Sequence, residues 1–207
     1  MNYESLIFDI DGTLWDSRAL VAEGYNIQLR SEGLGHLCVT AEDLLPLFGK
    51  VMTEIADVIF KTIPVPERYA LMDRCMATEN EYLHQNPCRI GYAGIKETMA
   101  ILAKRHRLFI VSNSQCGYPE LCIQKLGLDD YISGHLCFGD TGTEKGETIR
   151  RLMEHHNITN ACYIGDTQGD CDAADKAGIP FIFAAYGFGT PRHYEAKIEK
   201  FEDLLVL

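Results

Sequence analysis

Four short apolar runs, SLIFDI, RLFIVSN, ACYIGD and PFIFAAY, each stop at polar residues or glycine, and helical patterns fill the intervals. Runs this brief and this apolar read as strands buried on both faces. Between them, YAGIKETMAILAKRH, YPELCIQKLG and EKGETIRRLMEHHN place Ile95, Met99 and Leu102, then Leu121, Ile123 and Leu126, then Ile149, Leu152 and Met153 at roughly helical intervals. Gly127 fits a helix stop. LCFGD, residues 136–140, is a weaker strand candidate. Alternating strand and helix predict an α/β fold with a Rossmann-like, doubly wound parallel sheet, whose ligand sites lie beyond the carboxyl ends of the strands.

Residues 16–85 break that rhythm. WDSRALVAEGYNIQLRSEG, VMTEIADVIFKTI and ERYALMDRCMATENEYLHQ carry helix without strand, with Met72, Cys75, Met76, Glu79 and Leu83 on one stripe of the last. Gly33 and Gly35 break the first segment, and Pro64 and Pro66 part the second from the third. The reading is a core domain of 1–15 and 86–207 with an all-helical insertion, 16–85, over the sheet's carboxyl edge.

The strand exits concentrate polar chemistry. The first ends Asp9-Ile10-Asp11-Gly12-Thr13, the second Ser112-Asn113-Ser114, and the fourth Gly165-Asp166-Thr167-Gln168-Gly169-Asp170, while Lys145 opens a helix. In a doubly wound sheet these exits converge on one edge. Asp9 and Asp11, at i and i+2, are expected to face one ligand before Gly12 turns the chain. Buried carboxylates repel one another and are costly to desolvate. A hard divalent cation with oxygen ligands resolves this, and a sparsely liganded, partly hydrated site suits magnesium, with Asp166 a third contributor. Lys145, the Ser112 hydroxyl and the Asn113 backbone N–H can then hold the oxygens of a phosphate. An EF-hand does not account for the acids. Its glycine would fall at Leu14 and its last acid at Leu20, after a strand. Taken singly, Ser112 and Asp170 read as helix caps and Lys145 as a solvated charge.

Composition excludes other classes. A formal net charge of -11 over 207 residues argues against nucleic-acid or anionic-membrane binding. The start MNYESLIFDID lacks a basic region followed by a long apolar one, and no apolar run is of spanning length, so a cytoplasmic location is expected. The eight cysteines contain no C-x-x-C pair and read as reduced thiols packed as small core residues.

FDIDGTLWDS, VSNSQ, Lys145 in TEKGE and YIGDTQGD match, in order and spacing, the four signature motifs of the haloacid dehalogenase superfamily, which the whole chain resembles. The insertion looks like that superfamily's small α-helical cap, and AAYGFGTPR is similar to phosphoglycolate-phosphatase-like members. The resemblance implies a magnesium-dependent phosphatase acting on a small phosphorylated metabolite. Asp9 would be the nucleophile, Asp11 the general acid and then base, and Thr13 and Ser112 would orient nucleophile and phosphate while Lys145 stabilises charge. Asp9, the Asp11 backbone carbonyl and Asp166 would bind Mg2+, with Asp170 in or near that shell, and Gly12 would supply the turn. Lys50, in Phe48-Gly49-Lys50, would meet a second anionic group of the substrate or stand as a surface lysine.

Two positions depart from the family pattern. Gly146 follows Lys145 where Pro is frequent, which implies a looser helix start. Trp15 replaces a small aliphatic residue and would either narrow the substrate pocket or pack beneath the cap. A β-phosphoglucomutase-like phosphomutase is the enzymatic alternative, and a receiver-like phospho-acceptor module the alternative from another class. A monomer or small homo-oligomer is expected.

Overall fold

A computed structural model describes residues 2–207. In chain order the elements are β1 (Ser5–Phe8), α1 (Arg18–Ser31), α2 (Ala41–Leu44), α3 (Met52–Ile59), α4 (Glu67–Gln85), α5 (Ile95–Leu102), β2 (Arg107–Ser112), α6 (Tyr118–Leu126), β3 (Ile132–Cys137), α7 (Phe138–Thr141), α8 (Lys145–His155), β4 (Ala161–Gly165), α9 (Gln168–Ala177), β5 (Phe181–Ala184) and β6 (Ala196–Ile198). Two short 3-10 turns, Gly35–Leu37 and Phe201–Val206, complete the list. Two compact units result, Met1–Asp16 with Ile90–Leu207, and Ser17–Arg89.

In the first unit one sheet runs β3-β2-β1-β4-β5-β6, with every neighbouring pair parallel. β1 lies at the centre because Leu6, Ile7 and Phe8 have no solvent-facing side, and they pair with equally buried residues of β2 and β4. This strand order reverses direction between β1 and β4, the switch point at which doubly wound sheets bind ligands. The exits of those two strands are therefore where Asp9 and Asp166 emerge. On one face Ile7, Phe109, Val111 and Tyr163 meet Ile149 and Leu152 of α8 and Cys171 and Ala174 of α9. Gly146 serves the packing of α8 against α9. A Cβ there would come within 2.9 Å of both the Ala173 carbonyl oxygen and Lys176 Cβ, so its absence lets α8 close on α9.

The sheet differs from the sequence reading at its edges. β3 is Ile132–Cys137, so residues 136 and 137 of the expected strand lie in it, while residues 138–140 fall in α7 (Phe138–Thr141) instead. ISGHLC is a partly exposed edge strand carrying Ser, Gly and His, so it lacks the apolar signature of the central strands. The three residues of β6 are too few to show any periodicity.

The second unit is helical. Val21, Tyr25 and Leu29 of α1 and Leu71, Met72, Cys75 and Leu83 of α4 are buried, and these two helices pack together. Gly24 permits the approach, since a Cβ there would lie 2.8 Å from Glu79 Cα. Arg74 closes the pair by donating to both carboxylate oxygens of Glu32, at 2.6 and 2.8 Å. No helix among the described residues is long and apolar enough to cross a membrane.

Candidate active site

The first residue after β1 is Asp9, buried, with one oxygen 2.8 Å from Lys145 Nζ. Lys145 is the first residue of α8, only 4% exposed, and its Nζ also donates to Asp170 Oδ1 at 2.6 Å. Asp170 Oδ2 faces the other way. It accepts from the Thr167 backbone N–H at 2.9 Å and hydroxyl at 2.7 Å, and from the Asp166 N–H at 3.2 Å. Thr167 and Asp170 thus form the capping box of α9, so the same carboxylate starts a helix and anchors the lysine.

Asp166 follows β4 and is fully buried. Its Oδ2 accepts from the Phe188 N–H at 2.6 Å, whereas Oδ1 is buried without a hydrogen-bond partner. Asp9, Asp166 and Asp170 each offer an oxygen within 4.8 Å of the others. Burial, then the charge of Asp170, pushes the Asp9 carboxyl up to about 7 against the opposing pull of Lys145. Burial, then Asp170 and Asp9, pushes Asp166 up to about 8. Burial alone would weaken the hold of Lys145 on its proton, but Asp170 and Asp9 outweigh it and keep the ammonium well above its usual range. One internal cation is not enough for three carboxylates, and the orphaned Asp166 Oδ1 marks where positive charge is missing. The donor set, all carboxylate oxygen, fits a hard divalent cation such as Mg2+.

Glycines make room for this cluster. Gly12 has φ +80°, and a Cβ on it would lie 2.2 Å from Asp166 Oδ2. A Cβ on Gly187 would lie 2.3 Å from Asp166 Cβ, so residues 187 and 188 close on the carboxylate by backbone alone. Thr13 is buried, with its Oγ1 unpartnered and its carbonyl accepting from the Tyr186 hydroxyl at 2.8 Å. Ser112 ends β2 and receives the Ser114 N–H at 3.2 Å, with Asn113 between them.

Asp9 and Asp11 take different hydrogen-bond partners. β1 ends at Phe8, so strand alternation does not extend over them, and Leu14 N–H already bonds Ile10 O in a tight turn at 2.7 Å. Asp11 Oδ1 instead accepts from Trp15 Nε1 at 2.8 Å and from the Tyr118 hydroxyl at 2.9 Å. Trp15 is fully buried and meets Tyr118 edge-on, with ring centroids 5.4 Å apart. Its indole N–H is thus committed to Asp11, a role that neither pocket narrowing nor simple packing describes. Lys50 lies in the helical unit, half exposed and 3.8 Å from Glu54. Sequence reasoning missed Tyr118 and the Phe188 N–H. Thr167 had a readable signal, since T-x-x-D before a helix is a capping-box spacing.

Fold and site together define a Rossmann-like α/β core with an acidic, lysine-braced centre at the sheet's switch point. The chain belongs to the haloacid dehalogenase-like hydrolase family, whose model matches residues 6–184. A phosphoglycolate phosphatase of Xanthomonas campestris pv. campestris is 27% identical over 195 residues, covering 89% of this chain and 84% of the relative. Pyrophosphatase PpaX of Listeria monocytogenes is 26% identical over 215 residues, covering 98% and 95%. Among solved structures, a haloacid dehalogenase-like family hydrolase from Streptococcus pneumoniae shares the fold with a TM-score of 0.81 at 17% identity, over 99% of this chain and 97% of that one.

Proposed function

We propose that the protein is a magnesium-dependent phosphatase that hydrolyses a small phosphate monoester in the cytoplasm through an aspartyl-phosphate on Asp9. The observation that carries this reading is Lys145 held 2.8 Å from Asp9 and 2.6 Å from Asp170, beside an Asp166 oxygen with no partner. Asp9, the Asp11 backbone carbonyl and Asp166 would hold Mg2+, with Asp170 behind them. Bound there, the ion would screen the carboxylates from one another and from the incoming phosphate.

Asp9 attacks phosphorus, forming the acyl-phosphate O–P bond as the ester O–P bond breaks. Asp11 gives its proton to the departing alkoxide, then takes one from the water that attacks the same phosphorus. That second displacement returns Asp9 as a carboxylate and releases inorganic phosphate. Lys145 opposes protonation of Asp9 and holds one of its oxygens in place. Thr13 Oγ1, buried and unpartnered, is a donor available to a phosphate oxygen, and Ser112 with the Asn113 N–H supplies others.

We assign substrate selection to the helical unit, with Lys50 as a candidate contact for a second anionic group. The phosphoglycolate phosphatase relative makes a phosphorylated small acid the first substrate to try, and the pyrophosphatase relative makes inorganic pyrophosphate the second. A panel of phosphorylated metabolites assayed for phosphate release with and without Mg2+ tests the reading. Turnover that needs Mg2+ and vanishes in Asp9→Asn is expected. Full activity in that variant would sink the nucleophile assignment, and isomerisation of a sugar phosphate without phosphate release would favour a mutase.

A further inference from the structure

Outside the acid cluster, Cys116 in the loop after β2, Cys137 at the end of β3 and Asp140 in α7 meet at one point. Their donor atoms lie within 4.8 Å of one another. Asp140 Oδ1 is 3.5 Å from Cys116 Sγ, and Oδ2 is 3.1 Å from Cys137 Sγ. A tetrahedral ion bound at ~2.3 Å to sulfur and ~2.0 Å to oxygen spaces an S···O pair by roughly 3.5 Å. The three side chains therefore already stand near ligand spacing.

The backbone enforces this meeting. Gly139 N–H donates to the Ser114 carbonyl at 3.1 Å, and a Cβ at 139 would lie 2.4 Å from Cys116 N and 2.8 Å from Cys116 Sγ. Only glycine lets the two segments close. Cys137 N–H donates to Asp140 Oδ2 at 2.8 Å, which aims the carboxylate at the thiols. Cys116 and Asp140 are exposed, so an ion enters from solvent and water completes its shell.

We propose that Cys116, Cys137 and Asp140 bind a thiophilic divalent cation of the zinc class, tying the loop that follows Ser112 to α7. Each thiol releases one proton to solvent as it ligates, leaving two thiolates and one carboxylate around a dication. Thiolate sulfur selects zinc or cobalt over magnesium, so this site and the all-oxygen cluster do not compete for one metal. A second group, Cys171, Asp175 and His193, is also close-set. It offers one sulfur, and ordinary bonds account for it: His193 Nε2 pairs with Asp175 at 3.0 Å, and Cys171 Sγ approaches the His193 carbonyl at 3.3 Å.

The test titrates the reduced full-length chain, saturated with Mg2+, with Co2+ and then Zn2+. One equivalent of Co2+ with a sulfur-to-cobalt charge-transfer band, displaced by Zn2+ with a rise in melting temperature, is expected. Cys116→Ser should weaken binding by more than about 100-fold, beyond the loss of an outer-shell partner, with an unchanged circular dichroism spectrum. Because Cys116 is a surface position, that spectrum separates lost ligation from misfolding, which the buried Cys137→Ser would not do alone. Cys171→Ser should bind as the parent does. No sulfur band, full binding in Cys116→Ser, or loss confined to Cys171→Ser overturns the proposal. So does a wild-type chain that takes up no Co2+, whether its thiols are found separate or joined.

Discussion

The Trp15 indole N–H and the Tyr118 hydroxyl both donate to Asp11 Oδ1, at 2.8 and 2.9 Å, although Tyr118 lies 107 residues along the chain from Asp11. The proposed acid and base is thereby positioned by two aromatic donors that pack against each other. Tyr118→Phe keeps its ring and removes one donor, while Trp15→Phe removes the other donor together with part of the buried indole volume. Each should lower kcat about tenfold, the lower end of the roughly 1.5–3 kcal/mol carried by a hydrogen bond to a charged acceptor, while KM changes little. The double variant should lose less than the product of the singles, since the donors share one oxygen. Steady-state kinetics on all three variants checks this, and a rise in KM at constant kcat would place the pair in substrate binding instead.

Asp9→Asn should separate activity from stability. Asp9 is a carboxyl whose burial, joined by the charge of Asp170, disfavours its ionised form against the pull of Lys145. Its neutral isostere should abolish turnover yet melt at a higher temperature than the parent in chelator at pH 8. Calorimetry beside a phosphate-release assay measures both, and a lower melting temperature would show that Lys145 outweighs the repulsion.

The metal-free protein should become less stable as pH rises. The Asp9 and Asp166 carboxyls titrate at about 7 and about 8 when folded, against 3.8 for an ordinary aspartate, so between these values the folded chain binds more protons than the unfolded one. Stability then falls with increasing pH from about 4 to about 8. In chelator the melting temperature should drop across that window, and excess Mg2+ at pH 8 should restore it. A flat profile in chelator would contradict the proposed crowding of buried charge.

Gly12→Ala should cost at least about 1 kcal/mol from the left-handed backbone alone and more from the collision with Asp166. Gly187→Ala meets the same carboxylate without a positive φ, so it should impair Mg2+-dependent turnover more than folding. Denaturant titration together with the Mg2+ dependence of kcat distinguishes the two.

The central strands and the residues at their exits were readable because both are local: an unbroken apolar run predicts burial, and carboxylates at its end stand out against it. Asp9, Asp166, Asp170 and Lys145 meet because the strand order brings distant exits to one switch point, which the alternation of elements implied. The turn of Asp11 toward Tyr118 was not readable, because nothing in YPELC marks its tyrosine as a donor to a residue in another loop. The contact of the Phe188 N–H with Asp166 is made by backbone, and Gly187 reports it only once the fold is known. Only the last two residues of β3 fell within the weak strand candidate, since an edge strand with a half-exposed ISGHLC pattern need not look apolar.

The two oxygens of Asp170 serve the start of α9 and the ammonium of Lys145 at once. A chain emerging during synthesis, or one whose α9 has come undone, holds Asp9 and Lys145 but lacks the brace that aims them. Disorder at that helix start therefore also removes one of the lysine's two anchors.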